Sequence, residues 1–255
     1  MLRRWGILLV MLTLTTGLTL AASGASAAIA ELRPGGPIHL VRAGTNVGGA
    51  PSHQADSMNW SGYAATTGTY TSVSASWTEP SGMCSRGSQY SSFWVGLDGY
   101  SSSSVEQTGS DTDCSRGRAV YYAWYEMYPD PSVTYSETVQ PGDQFNAAVT
   151  YRGSNTFSLF IQDTTQGWSH TAIGTMAGAA RSSAEVIVEA PCCSFSGGIL
   201  PLADFGTVDV SGAMANGADL GHAGGLTQIL MAARNGKDTI SSLRGGANFS
   251  ATWLR

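Results

Sequence analysis

Residues 119–128 form the stretch AVYYAWYEMY, ten residues without glycine, proline or lysine. Aromatic residues at this density favour a β-strand, in which successive side chains point to opposite faces. One face would carry an acid and amphipathic aromatic side chains, namely Tyr122, Trp124, Glu126 and Tyr128. The other face would carry Tyr121, Ala123, Tyr125 and Met127. The stretch therefore predicts a strand with one face in a core and the other in a polar, aromatic environment.

Two more stretches divide in the same way. In residues 93–98 the apolar side carries Phe93, Val95 and Leu97, and the opposite side carries Trp94, Gly96 and Asp98. In residues 184–189 the apolar side carries Ala184, Val186 and Val188, and the opposite side carries Glu185, Ile187 and Glu189. For any one strand, an ordinary core with solvated acids explains the pattern. Its recurrence in three strands favours a binding surface, because aromatic rings mixed with carboxylates suit such a surface.

From Asn59 onward, stretches of period two recur, separated by Gly, Ser, Asn or Pro every eight to twelve residues. Short strands at this spacing, without long amphipathic helical windows, predict an all-β fold, an antiparallel sandwich or barrel. A helical turn also fits residues 179–185 and 226–236, although a buried strand fits the second nearly as well. The predicted strands are residues 72–78, 92–98, 119–128, 144–151, 156–163, 184–189, 206–210 and 249–254.

Length and charge limit the function classes. The chain has 255 residues, a formal net charge of −5 and 12% charged residues, with Lys237 as its single lysine. This length suits one sandwich or barrel domain, or two small ones. The scarcity of Lys and Arg argues against a nucleic-acid-binding protein, which neutralises phosphates with clustered basic residues. The 7 Trp, 10 Tyr and 7 Phe argue against intrinsic disorder.

The N-terminus predicts export. Arg3 and Arg4 precede an apolar run over residues 7–20 and an A-x-A site. This pattern predicts a secretory signal peptide over residues 1–27, because the apolar run is shorter than the roughly 20 residues that span a bilayer. The mature protein is therefore expected to be secreted and free of the membrane.

The next segment, residues 28–57, contains Gly and Pro and lacks alternating apolar residues. We predict a pro-segment or linker there, although an ordinary frayed N-terminus fits the composition equally well. Residues 58–255 then form the functional domain. Because this domain is acidic and sparsely charged, few positive groups repel one another at low pH, and we expect it to tolerate acid.

Four cysteines occur, at Cys84, Cys114, Cys192 and Cys193. Export places them in an oxidising compartment, where four cysteines allow three pairings. Cys84 and Cys114 flank stretches that resemble neighbouring strands, so a disulfide between them is the first choice. Cys192 and Cys193 are then a vicinal disulfide or two thiols. We expect no metal site, because C-x-x-C is missing and the histidines are scattered at His39, His53, His170 and His222.

Several hydrolase motifs are missing from the sequence. There is no G-x-S-x-G segment, so a Ser-His-Asp site is not predicted. Paired-aspartate proteases require Asp-Thr-Gly or Asp-Ser-Gly, and the tripeptide Asp-Thr-Asp at residues 111–113 lacks the glycine. Glu185 and Glu189 would lie about 13 Å apart on one strand, too far for a glycosidase pair. Glu126 with Glu189 across strands stays open as such a pair.

Five segments occur in a fixed order along the chain. They are NWSG at residues 59–62, FWVGLDG at 93–99, VEQTG at 105–109, YAWYEMYP at 122–129 and AEVIVE at 184–189. Together they resemble the eqolisin family of glutamic peptidases. The resemblance extends from Asn59 to the C-terminus. Any one segment is weakly specific, and five of them at the spacing of the family are fairly specific.

The resemblance implies a β-sandwich of two curved antiparallel sheets, a concanavalin-like or lectin-like jelly roll, and endopeptidase activity at acid pH. It also implies a catalytic pair, with the glutamine at Gln107 and the glutamate at Glu189. The expected partners are protein or peptide substrates, with no nucleic acid, metal ion or organic cofactor, and we expect a monomer. Residues that match the cleft of the family are Trp60, Trp94, Asp98, Trp124, Glu126 and Tyr128.

Two positions depart from the family pattern. Tyr122 stands where the type enzyme has an aspartate before A-W-Y-E, which puts one supporting hydrogen bond in doubt. Pro191 replaces an aromatic residue two positions after the catalytic glutamate, which affects the expected shape of the subsites. Glu185 matches a position that is not credited with catalysis.

The expected chemistry follows from the two catalytic side chains. As a general base with a pKa of about 4, ionised Glu189 would take a proton from water and return it to the leaving amine. The Gln107 carboxamide would donate an N–H to the oxyanion, and its oxygen would orient the water.

Two other functions stay open at this stage. One is a carbohydrate-binding sandwich in which Trp94, Trp124 and Tyr128 stack on sugar rings. The other is a glycoside hydrolase that uses Glu126 and Glu189. Neither gives a glutamine beside the glutamate an evident use. In addition, N-x-S sequences begin at Asn59 and Asn248 and fit N-glycan acceptors.

Overall fold

The computed structural model describes residues 39–40, 53–85, 87–192, 199–231 and 236–255. These residues form β-strands joined by turns, with a 3₁₀ turn at Leu220–His222. The strands are β1 (His39–Leu40), β2 (His53–Ser57), β3 (Trp60–Ala65), β4 (Ser72–Thr78), β5 (Ser92–Leu97), β6 (Val105–Ser115), β7 (Arg118–Tyr128), β8 (Val133–Thr134), β9 (Gln144–Gly153), β10 (Thr156–Asp163), β11 (Trp168–Thr175), β12 (Ala184–Glu189), β13 (Thr207–Ala215), β14 (Ala218–Asp219), β15 (Leu226–Leu230), β16 (Asp238–Ile240) and β17 (Phe249–Trp253).

The strands form two sheets. A nine-stranded sheet has the order β1-β2-β15-β3-β12-β5-β6-β7-β8. An eight-stranded sheet has the order β11-β10-β9-β4-β13-β17-β16, with β14 paired to β13. Among the described pairs, β2 and β15 run parallel and the others run antiparallel. The predicted all-β fold of two antiparallel sheets is confirmed.

Most predicted strands lie where the alternation places them, and differences are confined to their ends. The predicted helical turn at residues 179–185 is wrong. Residues 179–183 belong to neither helix nor strand, because the Asp98 carboxylate binds the backbone N–H groups of Arg181 and Ser182. Residues 226–230 form β15, the strand alternative, since this backbone pairs with both β2 and β3.

The inner faces of the two sheets pack against each other. The nine-stranded sheet contributes Phe93, Val95 and Leu97 to this core, and the eight-stranded sheet contributes Phe157 and Leu159. Burial of side chains of this size contributes about 1.5–3 kcal/mol each. Because the strand period is two, the core also determines which residues of β5, β6, β7 and β12 face outward.

The outer face of the nine-stranded sheet also carries buried apolar side chains. Trp60, Trp94 and Trp124 belong to a second cluster of buried side chains on this face. As a result, every residue of β3, β5 and β12 is buried. The acids that share this face, Glu185 and Glu189, are therefore buried among aromatic rings and not solvated.

The predicted disulfide between Cys84 and Cys114 is present, with an S–S distance of 1.98 Å and a Cα–Cα distance of 5.4 Å. It joins the segment after β4 to the end of β6. Cys192 is buried. Cys192 is disulfide-bonded, so the alternative of two free thiols is wrong, whereas Cys193 lies outside the described residues.

The N-terminal region is described only in part. The predicted signal peptide, residues 1–27, lies outside the described residues. Of residues 28–57, β1 and β2 are described, and β2 pairs with β15 in the nine-stranded sheet. Within the described ranges, no helix has the length and apolar character needed to cross a membrane. The boundary between pro-segment and functional domain stays a prediction.

A fully buried carboxyl group, that of Glu79, lies at the end of β4 and reaches across to β6. The Ser110 hydroxyl donates to one carboxyl oxygen, and this hydroxyl in turn accepts the indole N–H of Trp77 at 2.9 Å. The Thr112 hydroxyl contacts the other oxygen and lies 3.3 Å from the Pro80 carbonyl. A protonated Glu79 donates its hydrogen to the Thr112 hydroxyl oxygen. The Thr112 hydroxyl then donates its own hydrogen to the Pro80 carbonyl, so the protonated acid completes the hydrogen-bond network.

Burial raises the pKa of Glu79 from 4.5 to about 8, and the hydrogen bonds from Ser110 and Thr112 only partly oppose this effect. The unfolded chain therefore releases this proton at lower pH than the folded protein. The stabilisation from the protonated group is complete below about pH 4.5 and is lost as the pH rises toward about 8. Glu79 thus favours the folded state in acid.

We expect Glu79→Gln to increase stability at neutral pH and to change it little at acid pH. A carboxamide offers the same acceptor and donor as the protonated acid but never ionises. The expected gain in the free energy of unfolding at neutral pH is on the order of 3 kcal/mol. Thermal unfolding of both proteins across the pH range measures it. Asp209→Asn, at an exposed position, is the control, and an equal gain in that variant contradicts the assignment.

Candidate active site

Strand register places the two candidate catalytic residues in parallel rows on the outer face of the nine-stranded sheet. One row runs across β12, β5, β6 and β7 through Glu185, Gly96, Gln107 and Glu126. The other row, four residues further along, runs through Glu189, Ser92, Asp111 and Tyr122. Residues an even number of positions apart share a face. Gln107 and Glu189 therefore lie on the same outer face, with the row of Trp94, Gly109 and Trp124 between them.

Side-chain N–H donors hold the Glu189 carboxyl group. The Asn59 side-chain amide donates to Oε1 at 3.0 Å, and the Trp94 indole donates to Oε2 at 2.9 Å. The Trp94 ring is itself held by Trp60, whose ring meets it edge to face at a centroid distance of 4.8 Å. Both carboxyl oxygens thus face donors, an arrangement that stabilises the ionised form.

The pKa of Glu189 is nevertheless raised well above its ordinary value. Burial is the largest cause, and the charges of Glu126 and Asp111 add to it. Hydrogen bonds from Trp94 and Trp60 act in the opposite direction. The expectation of an ordinary pKa of about 4 for this group is therefore wrong, because the carboxyl is fully buried beside other acids.

Gln107 is anchored at one end of its carboxamide. Its Nε2 donates to Glu126 Oε2 at 2.5 Å, and the side chain is 2% exposed. Its Oε1 is buried and has no hydrogen-bond partner among the described residues. A buried acceptor without a partner is costly, so this oxygen is suited to receive a donor from a ligand or from water.

Glycines make room for the side chains on this face. A Cβ atom at Gly96 would lie 2.8 Å from the Trp94 ring and 3.2 Å from the Gln107 Cβ. At Gly109 it would lie 2.3 Å from the Phe93 carbonyl oxygen and 2.6 Å from the Trp94 Cβ. Any larger residue would displace Trp94, the donor to Glu189.

The other predicted site residues fall into three groups. Trp60, Trp94 and Glu126 contact the candidate pair as described above. Trp124 supports the site indirectly, because its indole donates to Asp111 Oδ1 at 2.5 Å. Asp98 does not join the pair: it is buried and binds the loop ahead of β12. Tyr128 is half-buried at the side of the tryptophan cluster.

The two departures from the family pattern, Tyr122 and Pro191, differ in what the structure shows. The hydrogen bonding at Tyr122 is not lost, because its hydroxyl lies 2.8 Å from Asp111 Oδ2 and 2.8 Å from Asp113 Oδ2. The Tyr122 hydroxyl thus forms hydrogen bonds of its own at this position. Pro191 is buried, and its carbonyl accepts the backbone N–H of Leu200. Its effect on the subsites stays a prediction.

Sequence reasoning missed the roles of Asn59 and Ser57. Asn59 is fully buried with its amide on Glu189, so it is not an N-glycan acceptor in the folded protein. The Ser57 hydroxyl accepts the backbone N–H of Trp60 at 3.0 Å and lies 3.3 Å from Asn59 Oδ1. The position of Asn59 in the NWSG segment was the available signal, whereas Ser57 gave none.

Comparisons with known proteins identify relatives of the chain. The sequence profile of the Peptidase A4 family matches residues 58–253. Aspergillopepsin-2 of Aspergillus niger is 32% identical over 185 residues, which are 62% of this chain and 64% of that protein. Scytalidopepsin B of Scytalidium lignicola is 32% identical over 140 residues, 51% of each chain. The chain thus spans between 51% and 64% of the length of these relatives.

Solved structures show the same fold. Scytalido-glutamic peptidase in complex with a transition state analog inhibitor superposes with a TM-score of 0.66 at 25% identity, covering 77% of this chain and 98% of that chain. The aspergilloglutamic peptidase from Aspergillus niger superposes with a TM-score of 0.57 at 27% identity, covering 65% of this chain and 99% of that chain.

We expect Trp94→Phe to raise the pKa of Glu189 further, by about one unit, because it removes an N–H donor to the ionised form while keeping a ring of similar shape. NMR titration of ¹³C-labelled glutamate side chains measures the shift. Trp168→Phe is the control, since the Trp168 indole donates to the Thr138 carbonyl at the surface. An unchanged pKa of Glu189 in Trp94→Phe contradicts the assigned contact.

Proposed function

The chain belongs to the Peptidase A4 family, the eqolisins, and we propose that it is a secreted endopeptidase that cleaves proteins at acid pH with a glutamate and a glutamine. One observation carries the proposal. The Glu189 carboxyl and the Gln107 carboxamide are buried on the same face of one sheet, and Gln107 Oε1 lacks a partner among the described residues. A water molecule or a peptide group would supply the missing hydrogen bond.

The first chemical step is the activation of water. Ionised Glu189 takes a proton from a water molecule, and the water oxygen attacks the carbonyl carbon of the scissile peptide bond. Gln107 Oε1 accepts a hydrogen bond from the same water and orients it. Asn59 and Trp94 hold the carboxylate in position during the transfer.

The second step collapses the tetrahedral intermediate. The Gln107 carboxamide has two N–H bonds, of which Glu126 occupies one. The other donates to the oxyanion and stabilises the charge that develops there. Glu189 then delivers its proton to the amine nitrogen as the C–N bond breaks, which restores the ionised acid for the next cycle.

Acid activity follows from two opposing effects of pH. The raised pKa of Glu189 means that its ionised fraction, and with it kcat/KM, increases as the pH rises through the acid range. The fold, in contrast, loses the stabilisation from protonated Glu79 over the same interval. The upper limit of the active range is therefore set by the stability of the fold and not by the catalytic base.

Sugar recognition has less support in the structure. Trp94 and Trp124 donate their indole N–H groups to Glu189 and Asp111, so both side chains hold acids of the site. Glu126, the second acid of the glycosidase alternative, binds the Gln107 carboxamide. The contacts of the two indoles and of Glu126 fit a peptidase site better than a sugar-binding or glycosidase site.

The N-terminal segments complete the proposal. Residues 1–27 direct export and are then removed. Residues 28–57 form a pro-segment, of which the part ahead of β2 shields the cleft until low pH releases it, and residues 58–255 form the catalytic domain. The enzyme acts as a monomer on protein or peptide substrates. An intact, fully active form beginning at Ala28 would argue against the shielding role.

We expect Glu189→Gln and Gln107→Ala each to lower kcat/KM by about 100- to 1000-fold or more, since each removes a group that acts on the reacting atoms. Cleavage of denatured casein at acid pH measures the loss. Glu185→Gln is the matched control, because Glu185 is a buried acid on the same strand and face to which the family resemblance assigns no catalytic role. Near-normal cleavage by folded Glu189→Gln protein would exclude this mechanism, and hydrolysis of polysaccharides would favour the glycosidase.

We also expect Glu79→Gln to extend activity toward neutral pH without moving the acid side of the pH–rate profile, because Glu79 affects stability and not the reacting atoms. Initial rates after incubation at each pH measure both sides of the profile. A shift of the acid side in this variant would contradict the separation of the two effects.

A further inference from the structure

We propose that Asp111, Tyr122 and Asp113 act as one unit that retains at least one proton while the protein is folded, with the last proton on Asp113, and that Tyr122 and Asp113 are positioning residues for Trp124 beside the catalytic pair. We call this unit the Asp111–Tyr122–Asp113 bridge. Its catalytic consequence rests on the peptidase function proposed above, whereas its protonation does not.

The bridge spans two neighbouring strands on the outer face of the nine-stranded sheet. Asp111 and Asp113 are two residues apart on β6 and so share that face, and Tyr122 of β7 is paired directly with Asp111. The Tyr122 hydroxyl lies 2.8 Å from Oδ2 of each acid. The two acids are 2% and 4% exposed, so water does not provide their hydrogen bonds.

The single hydrogen of the Tyr122 hydroxyl determines the minimum number of protons on the two aspartates. A phenol hydroxyl has one hydrogen, which it donates to one carboxyl oxygen, and it interacts with the second only by accepting a hydrogen. Two ionised carboxylates would leave one of them facing a lone pair of the phenol oxygen, out of water, at high cost. At least one of the two acids must therefore be protonated.

The hydrogen bonds on the remaining oxygens show where the negative charge resides. Asp111 Oδ1 accepts the Trp124 indole N–H at 2.5 Å, whereas Asp113 Oδ1 accepts the backbone N–H of Ser91 at 3.3 Å. The shorter bond stabilises a carboxylate more. Burial raises the pKa of Asp111 to about 6 and that of Asp113 well above its ordinary value, and the charge of Asp111 adds to the second shift. Asp111 thus ionises first.

The other ionisable groups near the bridge are acids. Glu79 acts on Asp113 from the inner side, and Asp111 acts on Glu189 along the outer face. No Lys, Arg or His in the described part of the chain forms an ion pair with any of these four acids. A bound proton on these acids therefore limits the negative charge next to Glu189.

The bridge affects the proposed reaction through the hydrogen bond that Asp111 accepts from Trp124. Its carboxyl is the acceptor for Trp124, and Trp124 lies in the row between Gln107 and Glu189. Tyr122 fixes the second oxygen of Asp111, and protonated Asp113 fixes the Tyr122 hydroxyl. Removal of either positioning residue would loosen Trp124 and alter the charge that Glu189 experiences.

The protonation is tested by NMR titration of ¹³C-labelled aspartate side chains from about pH 3 to pH 7, with Asp111→Asn and Asp113→Asn used to assign the two signals. We expect Asp111 to titrate near the upper end of this range and Asp113 to stay protonated throughout. Ionisation of both acids below neutral pH in the folded protein would overturn the inference, whatever the activity of the enzyme.

The positioning role is tested with Asp113→Asn, Asp113→Leu and Tyr122→Phe. The carboxamide of Asp113→Asn donates to Tyr122 as the protonated acid does, so it should preserve the Trp124 indole N–H resonance and most of the activity. Asp113→Leu and Tyr122→Phe should shift that resonance and lower kcat by about tenfold to a hundredfold, the range for the loss of a hydrogen bond to a charged group.

The outcomes are distinguishable from a failure of the proposed function. If Asp113→Asn is as damaging as Asp113→Leu, or if Tyr122→Phe changes neither the resonance nor kcat, the positioning role is wrong. If the wild-type protein cleaves no peptide, the proposed function fails, while the titration still decides the protonation of the bridge. Asp209→Asn, on the other sheet, serves as the control for the loss of one acid.

Discussion

The cost of burying carboxyl groups without cations shapes this protein more than any other interaction. Glu79, Asp111, Asp113, Glu185 and Glu189 are all nearly or completely inaccessible to water. A buried acid is tolerated when it keeps its proton or when N–H and O–H donors surround it. The protein uses both solutions, and the first of them, a retained proton as on Glu79, makes the folded state more stable in acid.

The candidate site combines both solutions within one face of one sheet. Glu189 faces N–H donors and can carry charge, whereas the proposed bridge keeps at least one proton on Asp111 and Asp113. The indoles separate these groups and provide N–H donors that cannot accept a proton from a neighbour. A tryptophan at these positions therefore does more than fill space: it determines which neighbouring acid is stabilised as an anion.

Strand parity made much of this arrangement predictable. The alternation in residues 119–128 and 184–189 gave the correct faces for Trp124 and Glu189, because one face of each strand had to enter the core. Contacts across strands depend on register, which the sequence does not show, so Asn59 on Glu189 and Tyr122 between two aspartates were missed. The spacing of Leu226 and Ile229 fitted both helix and strand, and pairing with two neighbouring strands decided the outcome.

Strand β2 limits where the N-terminal region can be cut in a maturing molecule. It covers the edge of β15, and its last residue, Ser57, holds the turn that brings Asn59 to the carboxyl group. Cleavage ahead of His53 would leave both contacts in place. Cleavage directly after Ser57 would strip an edge strand, expose unpaired backbone groups and remove the hydroxyl that braces the turn. A processed form that kept residues 53–57 would preserve the Ser57 contacts that place Asn59 beside Glu189.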